Sequence, residues 1–301
     1  MFLNLENQTK TMSSTFNKKK INLKDIIAFR TEYNLNNLAT ICEQALCPNI
    51  SECFKNKEAS FLILGTVCTR PCKFCRVKKQ EALAAPDPEE PARLAAAIKK
   101  LGLEYVVITS PTRDDLPDYG ANQFAAAILA IRTSNPETKI EVLIPDFQAN
   151  LTCLEKVVST KPDIISHNLE TVPRLYEIRK GADYFRSLKV LAEIKKINPE
   201  IITKTALLLG LGETESEVLS VFKDLLEINC KVVYLGQYLA PSKKHFAVQE
   251  YLSDAQFAEY KEIALSIGFD FVMAGQFVRS SYRGRAMLDF FDKYQKNQDT
   301  N

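Results

Sequence analysis

From residue 60 onward, short apolar or β-branched runs alternate with longer stretches whose apolar residues recur every three or four positions. Runs of the first kind suit buried strands, and those of the second suit amphipathic helices. FLILGTV (61–67) is the first strand candidate, followed by a cysteine-bearing loop and then by PEEPARLAAAIKKLG, where Pro and Glu open a helix and Gly closes it. The order returns as YVVIT (105–109) with GANQFAAAILAIR, IEVLI (140–144) with a helix near 151–159, and IISHN (164–168) with YFRSLKVLAEIKK. ITKTALLLGLG (202–212) precedes TESEVLSVFKDLLEI, VVYLGQY (232–238) precedes DAQFAEYKEIALSI, and FDFVMAG (269–275) adds a last short strand.

Apolar strands joined by helices of this length indicate a parallel α/β fold. Six strand–helix repeats fit an incomplete TIM-type barrel, a partial (β/α)6 form, better than a closed eight-stranded one, with a doubly wound sheet as the alternative. Residues 1–57 are polar, with amphipathic spacing only around Ile21 to Phe29, and read as an N-terminal extension that folds around a metal. Residues 58–275 form the barrel and 276–301 a C-terminal segment. Polar residues close to the strand ends, Thr109, Ser110, Asp146, His167, Asn168, Lys204, Gln237 and Tyr238, would converge on the C-terminal face, where such folds keep their sites.

Composition alters this picture little. Hydrophobic residues make up 46% and charged residues 25% of the 301, ordinary globular usage, and a chain of that length buries roughly 75% of its extended surface. With 39 Lys and Arg against 37 Asp and Glu, no footprint for nucleic acid stands out; the run Lys18, Lys19, Lys20 reads as a solvated segment. The start is polar after Leu5, and the longest apolar runs fall well short of the roughly 18 residues that suggest a membrane span. A reducing cytoplasm is the expected compartment.

Cysteine placement changes it greatly. Six of the eight, Cys42, Cys47, Cys53, Cys68, Cys72 and Cys75, fall between residues 42 and 75. In a reducing compartment such clusters mean a metal or redox site rather than disulfides. Cys68-Thr-Arg-Pro-Cys72-Lys-Phe-Cys75 offers three thiolates on one loop. A structural zinc ion takes four ligands, whereas three thiolates on a four-iron cube leave one iron open to another ligand. The cluster is the favoured reading, with zinc or inert thiols as alternatives; Cys153 and Cys230, apart from the rest, read as buried unligated thiols.

A CX3CX2C loop after the first barrel strand resembles the radical S-adenosylmethionine superfamily. Cys42-EQAL-Cys47-PNISE-Cys53, together with ITSPTRDDLPDYGA, EVLIPDF, SHNLETVPRL, LLLGLGET, GQYLAPSKKH and FVRSSY, resembles the lipoyl synthase family over about residues 40–287. The resemblance implies one [4Fe-4S] cluster on Cys68, Cys72 and Cys75 that binds S-adenosylmethionine. It implies a second, auxiliary [4Fe-4S] cluster on Cys42, Cys47 and Cys53, with Ser281 as its fourth ligand. The implied reaction is sulfur transfer: two sulfur atoms enter at C6 and C8 of an octanoyl chain, with the auxiliary cluster as donor. That chain is carried on a lysine of the lipoyl domains of 2-oxoacid dehydrogenase E2 subunits or of the glycine-cleavage H protein.

The same resemblance places Phe74 beside the cofactor's adenine, although shielding the cluster is an equally physical role for it. Asn168, Glu170 and Arg186 become polar contacts to the cofactor, while Thr109, Arg113 and Asp114 shape the cavity and Asp115 caps a turn. Arg279 orients the serine-bearing turn or pairs with a buried acid. An electron donor and an iron–sulfur assembly or carrier protein are implied partners; His245 reads as solvated or carrier-facing. The chain departs from the family pattern at Gln276, where proline is usual, and at Arg283-Gly284, differences that bear on turn geometry and carrier recognition.

Overall fold

A computed structural model describes residues 19–33, 38–80 and 83–299; Lys18 and the first part of the expected N-terminal extension lie outside them. The central sheet contains β1 (Ala39–Thr40), β2 (Ser60–Leu62), β3 (Tyr105–Thr109), β4 (Lys139–Leu143), β5 (Ile164–Ser166), β6 (Ile202–Leu209), β7 (Val232–Gln237) and β8 (Phe271–Gly275). Spatial order follows chain order. β2 through β8 are parallel, and β1 pairs antiparallel with β2.

Helix α1 (Leu23–Tyr33) precedes the sheet, and α2 (Ile41–Gln44) and α3 (Ile50–Lys55) lie between β1 and β2. The crossovers between parallel strands carry α4 (Glu90–Leu101), α5 (Ala121–Ser134), α6 (Leu151–Ser159), α7 (Tyr184–Ile197), α8 (Glu215–Glu227) and α9 (Asp254–Ile267), and α10 (Gly284–Asp299) ends the described chain. This is the expected partial barrel of six strand–helix repeats, closed off by a seventh parallel strand. Local chemistry sets the helix starts: Thr214 with Glu217, and Ser253 with Gln256, form reciprocal capping boxes at α8 and α9.

Three expectations need correcting. The first strand is shorter than 61–67, because Leu64 turns into left-handed backbone (φ 65°) and leaves the sheet. Val67–Cys68 pairs instead with Lys78–Lys79 in a separate two-stranded ribbon that flanks the cysteine loop. The strand of 164–168 stops at Ser166, which frees His167 and Asn168 to leave the ladder. Lys204 is not at a strand end: it is the third residue of β6, fully enclosed and ion-paired with Glu141.

Glu141 also accepts hydrogen bonds from Tyr105 Oη and from Ser166 Oγ (2.6 Å), and the Lys204 ammonium lies 4.5 Å from the Tyr234 ring centroid. A charge inside the barrel is tolerable only with such partners. Met287 and Leu288 of α10 pack with Ile164, Val232 and Tyr234, so the last helix covers the mouth at the strands' N-terminal ends. The extension before β2 joins the main core through Phe29 and Phe54, whose rings stack at 4.2 Å.

Candidate active site

The C-terminal ends of the strands enclose a cavity of about 770 Å³, ample for a nucleoside-sized cofactor with part of a substrate. Cys68, Cys72, Cys75 and Phe74 line it from the loop after β2. Thr109 lines it from the end of β3, and Asn168 and Glu170 from beyond β5. Cys42 and Cys47 reach the same cavity from the N-terminal side, and Ser281 from beyond β8. An adjoining recess of about 30 Å³ is bordered by Cys42, Cys47, Cys53, Arg279 and Ser281. Two cysteine groups that are separate in sequence thus share one chamber, and the serine stands with the first of them.

Gly236 explains how the serine arrives. A Cβ there would lie 2.1 Å from the Val278 carbonyl oxygen, so the bare strand backbone lets the segment after β8 pass directly against β7. Helix α3, which carries Cys53, then grips that segment together with its N-cap residue Asn49. Asn49 Nδ2 donates to the Phe277 carbonyl (2.6 Å), and Glu52 accepts from Tyr282 Oη (2.9 Å) and Arg283 Nη2 (3.1 Å). Lys19 pairs with the same carboxylate. Burial alone would raise Glu52, but the bonds from Lys19, Tyr282 and Arg283 hold its pKa down at about 2.

The loop that carries Cys68, Cys72 and Cys75 is anchored through Arg70. Its guanidinium, only 6% exposed, donates to Asp114 (2.6 and 2.8 Å) and to Asp146 (2.7 and 2.8 Å). Burial opposes the charge on Asp146, yet the hydrogen bonds from Arg70 prevail and keep the carboxyl below the usual carboxylate range. Arg70's backbone N–H meanwhile donates to Cys68 Sγ at 3.4 Å.

The donor set fits iron–sulfur ligation. All eight cysteines are free thiols. Burial, then the neighbouring Cys47, pushes Cys42 up to about 12, and burial with Cys42 and Cys47 pushes Cys53 up as well. Burial likewise takes Cys72 to about 12, with Arg179 opposing and Cys75 and Cys68 adding to the rise. Thiols that disfavour one another's ionisation become good ligands once a cationic centre compensates them. Among the described residues, no three His, Cys, Asp or Glu side chains are close enough to hold a single metal ion.

The cavity also suits a polar cofactor. Asn168 Oδ1, Ser110 Oγ and His167 Nε2 are buried in its wall without a hydrogen-bond partner, and such groups are costly unless a ligand or water pairs them. Asn168 Nδ2 donates to Glu170 (3.0 Å) and to Ser280 Oγ (3.2 Å). Glu170 holds a left-handed backbone (φ 66°) inside a bridge to Leu207, strain worth about 1–3 kcal/mol that the surrounding sheet must offset.

Other expected residues stand behind the wall. Arg186 does not line the cavity: it donates to Asp146 (2.8 Å) and to the Gly181 carbonyl. Arg113 is held by the Leu64 and Ala84 carbonyls and by Asp115, so Asp115 is its ion partner, while Asp118 caps the turn into α5. His245 accepts or donates at Ser242 Oγ (2.9 Å) near the surface. Gln276 donates to the Leu252 carbonyl (2.9 Å). Cys153 and Cys230 are buried and donate weakly to backbone carbonyls. Sequence reasoning missed Arg179, which donates to Tyr176 Oη (2.9 Å) and approaches Cys72 and Glu170 in the cavity wall; no local motif marks it.

Solved structures share this architecture at low sequence identity. SuiB of Streptococcus suis bound to its precursor peptide SuiA aligns with a TM-score of 0.55 at 13% identity, over 75% of this chain and 52% of that one. HydG, a maturase of the [FeFe]-hydrogenase, aligns at 0.51 and 14%, over 86% and 69%. The radical SAM superfamily profile matches residues 62–225, and the chain is a radical S-adenosylmethionine enzyme, a class that works with a [4Fe-4S] cluster and S-adenosylmethionine.

Curated relatives narrow this further. Lipoyl synthases are 56% identical in Geotalea daltonii over 245 residues, which is 81% of this chain and 83% of the relative. The Alkaliphilus metalliredigens enzyme is 51% identical over 269 residues, 89% and 91% of the two chains. The chain belongs to the lipoyl synthase family.

Proposed function

We propose that the enzyme converts a protein-bound octanoyl group to a lipoyl group by inserting sulfur at C6 and C8, with a second iron–sulfur cluster as the sulfur source. The observation that carries this reading is the shared chamber: both cysteine triads and Ser281 border connected space at the strands' C-terminal ends. Cys68, Cys72 and Cys75 would hold the cluster that reduces S-adenosylmethionine to the deoxyadenosyl radical, and Cys42, Cys47, Cys53 and Ser281 the cluster that supplies sulfur. Serine oxygen is a harder and less typical iron ligand than thiolate, which suits the corner of a cluster that must give up sulfur.

The chain's own residues position and shield. Phe74 and the apolar barrel wall exclude water from a chamber where stray hydrogen donors would quench a radical. Asn168 and Glu170 offer a carbonyl and a carboxylate to a cationic amino-acid group, and Thr109 directs its hydroxyl to the Leu143 carbonyl (2.9 Å), which leaves its methyl for the cavity wall. Arg186 serves here as a support for Asp146 rather than a cofactor contact. In this reading residues 1–57 supply the auxiliary thiols, 58–275 the radical barrel and 276–301 the serine.

An octanoylated lipoyl domain or H protein is the implied substrate, with an electron donor and an iron–sulfur assembly or carrier protein alongside it. Eight free thiols suit a reducing cytoplasm; among the described residues no helix is long and apolar enough to cross a membrane. Anaerobic reconstitution should load roughly eight iron and eight sulfide per chain, as two four-iron clusters require. Mass measurement of the carrier should then show the two-sulfur product with deoxyadenosine formation. A fully loaded, reduced enzyme that leaves the octanoyl carrier unchanged would refute the reading.

A further inference from the structure

The mouth of the cavity carries a concentration of positive charge that the net charge conceals. Lys73, Arg76, Lys78 and Lys79 lie on the cysteine loop and its ribbon, where Arg76 donates to the Gln44 carbonyl (3.0 Å) and Lys79 to the Cys75 carbonyl, and Lys243 and Lys244 lie on the loop after β7; all six are exposed. The two loops are neighbours, because the Phe246 N–H donates to the Lys73 carbonyl at 2.9 Å. Both reach the opening, where Arg76 and Pro241 border the cavity. Residues 68–80 and 239–249 contain no Asp or Glu, in a chain with 37 acids against 39 bases. Among the described residues, none of the six cations forms an ion pair.

Charge gathered on one rim without an ion-pair partner among the described residues raises the local concentration of an oppositely charged partner and orients its approach. A cavity of about 770 Å³ admits an acyl-lysine arm but not a folded protein. The body of any protein bearing that arm must therefore rest on the rim. We propose that Lys73, Arg76, Lys78, Lys79, Lys243 and Lys244 form the docking surface for an acidic face of the octanoyl-bearing carrier. This inference rests on the lipoyl-forming reading and adds to it where, and by what chemistry, the carrier is recognised.

The test compares Lys243→Glu/Lys244→Glu, and separately Lys78→Glu, with a control pair on the outer helices, Lys223→Glu/Lys261→Glu, all at equal cluster content and with dithionite as reductant. In the rim variants the carrier KM should rise about tenfold or more at low salt, the range in which charge reversal acts on encounter and affinity. Turnover at saturation and KM for S-adenosylmethionine should be unchanged. A short octanoyl-lysine peptide should react equally well with every variant, and the unaltered enzyme's carrier KM should climb with salt.

A carrier KM that rim reversal does not move, or that the control pair moves equally, overturns the proposal. So does a defect confined to turnover driven by an acidic protein reductant, because the rim would then serve electron delivery. Failure of the reaction itself is separable: unaltered enzyme that binds carrier in a salt-dependent way, weakened in the rim variants, yet inserts no sulfur would retain the docking surface and refute the chemistry.

Discussion

His167 is enclosed at the end of β5, with Nδ1 2.9 Å from the Ile144 carbonyl, so the neutral ring donates there and its other nitrogen faces the cavity. Burial, with Arg179 adding to it against the pull of Asp146, lowers its pKa from 6.5 to about 4. Between those values the unfolded chain binds the proton and the folded chain does not, so stability rises with pH across the window and is lost as pH falls through it. His167→Gln should flatten that dependence: its urea midpoint should change less between pH 4.5 and 7.5 than the unaltered protein's, and an equal change would remove His167 as the cause. At the thiols, Cys72→Ala should abolish cleavage of S-adenosylmethionine, while Cys47→Ala should retain cleavage and lose sulfur insertion. Equal loss of both activities in both variants would contradict separate roles for the two triads. The six clustered cysteines were legible because their spacing is a property of the chain, whereas Arg179 was not, because its place beside Cys72 and Glu170 exists only after the loops beyond β2 and β5 pack together.

At the scale of elements, α10 and the short α3 do more than their lengths suggest. The Gly284 backbone lies so close to the Tyr105 ring that an added Cβ would meet Oη at 2.4 Å. That ring cannot simply swing aside, because its hydroxyl is bonded to Glu141 beside Lys204. Gly284→Ala should therefore destabilise the protein by about 1–3 kcal/mol, the usual range for overpacking, seen as a lower urea midpoint with an unchanged slope; an unshifted midpoint would show that α10 can slide. The helices of the crossovers were readable from apolar spacing and, for α4, from the Pro and Glu that open it and the Gly that closes it. β1, α2 and α3 were not, since elements of two to six residues hold too few positions to display a period. They are stabilised by contacts such as Phe54 on Phe29 and Glu52 on Tyr282.

For the whole molecule, the arrangement separates tasks by height. Charged and aromatic groups inside the barrel and α10 below it close the N-terminal mouth; the thiols and unpaired polar groups occupy the C-terminal chamber. Two neighbouring loops at the remaining opening carry six exposed cations. By itself, the sequence determined the alternation of strands and helices, the two cysteine spacings and the family, because each is written in residues that are near one another along the chain. Only the tertiary structure decided that Cys42 and Cys47 meet Cys68, Cys72 and Cys75 around one cavity, and that Ser281 joins them. It also drew Lys243 beside Lys73 and took Arg186 behind the wall to Asp146. These relations depend on long-range contacts, through the bare backbone at Gly236, the Glu52 carboxylate and the Phe246–Lys73 bond, and proximity across such distances has no local signature in the chain.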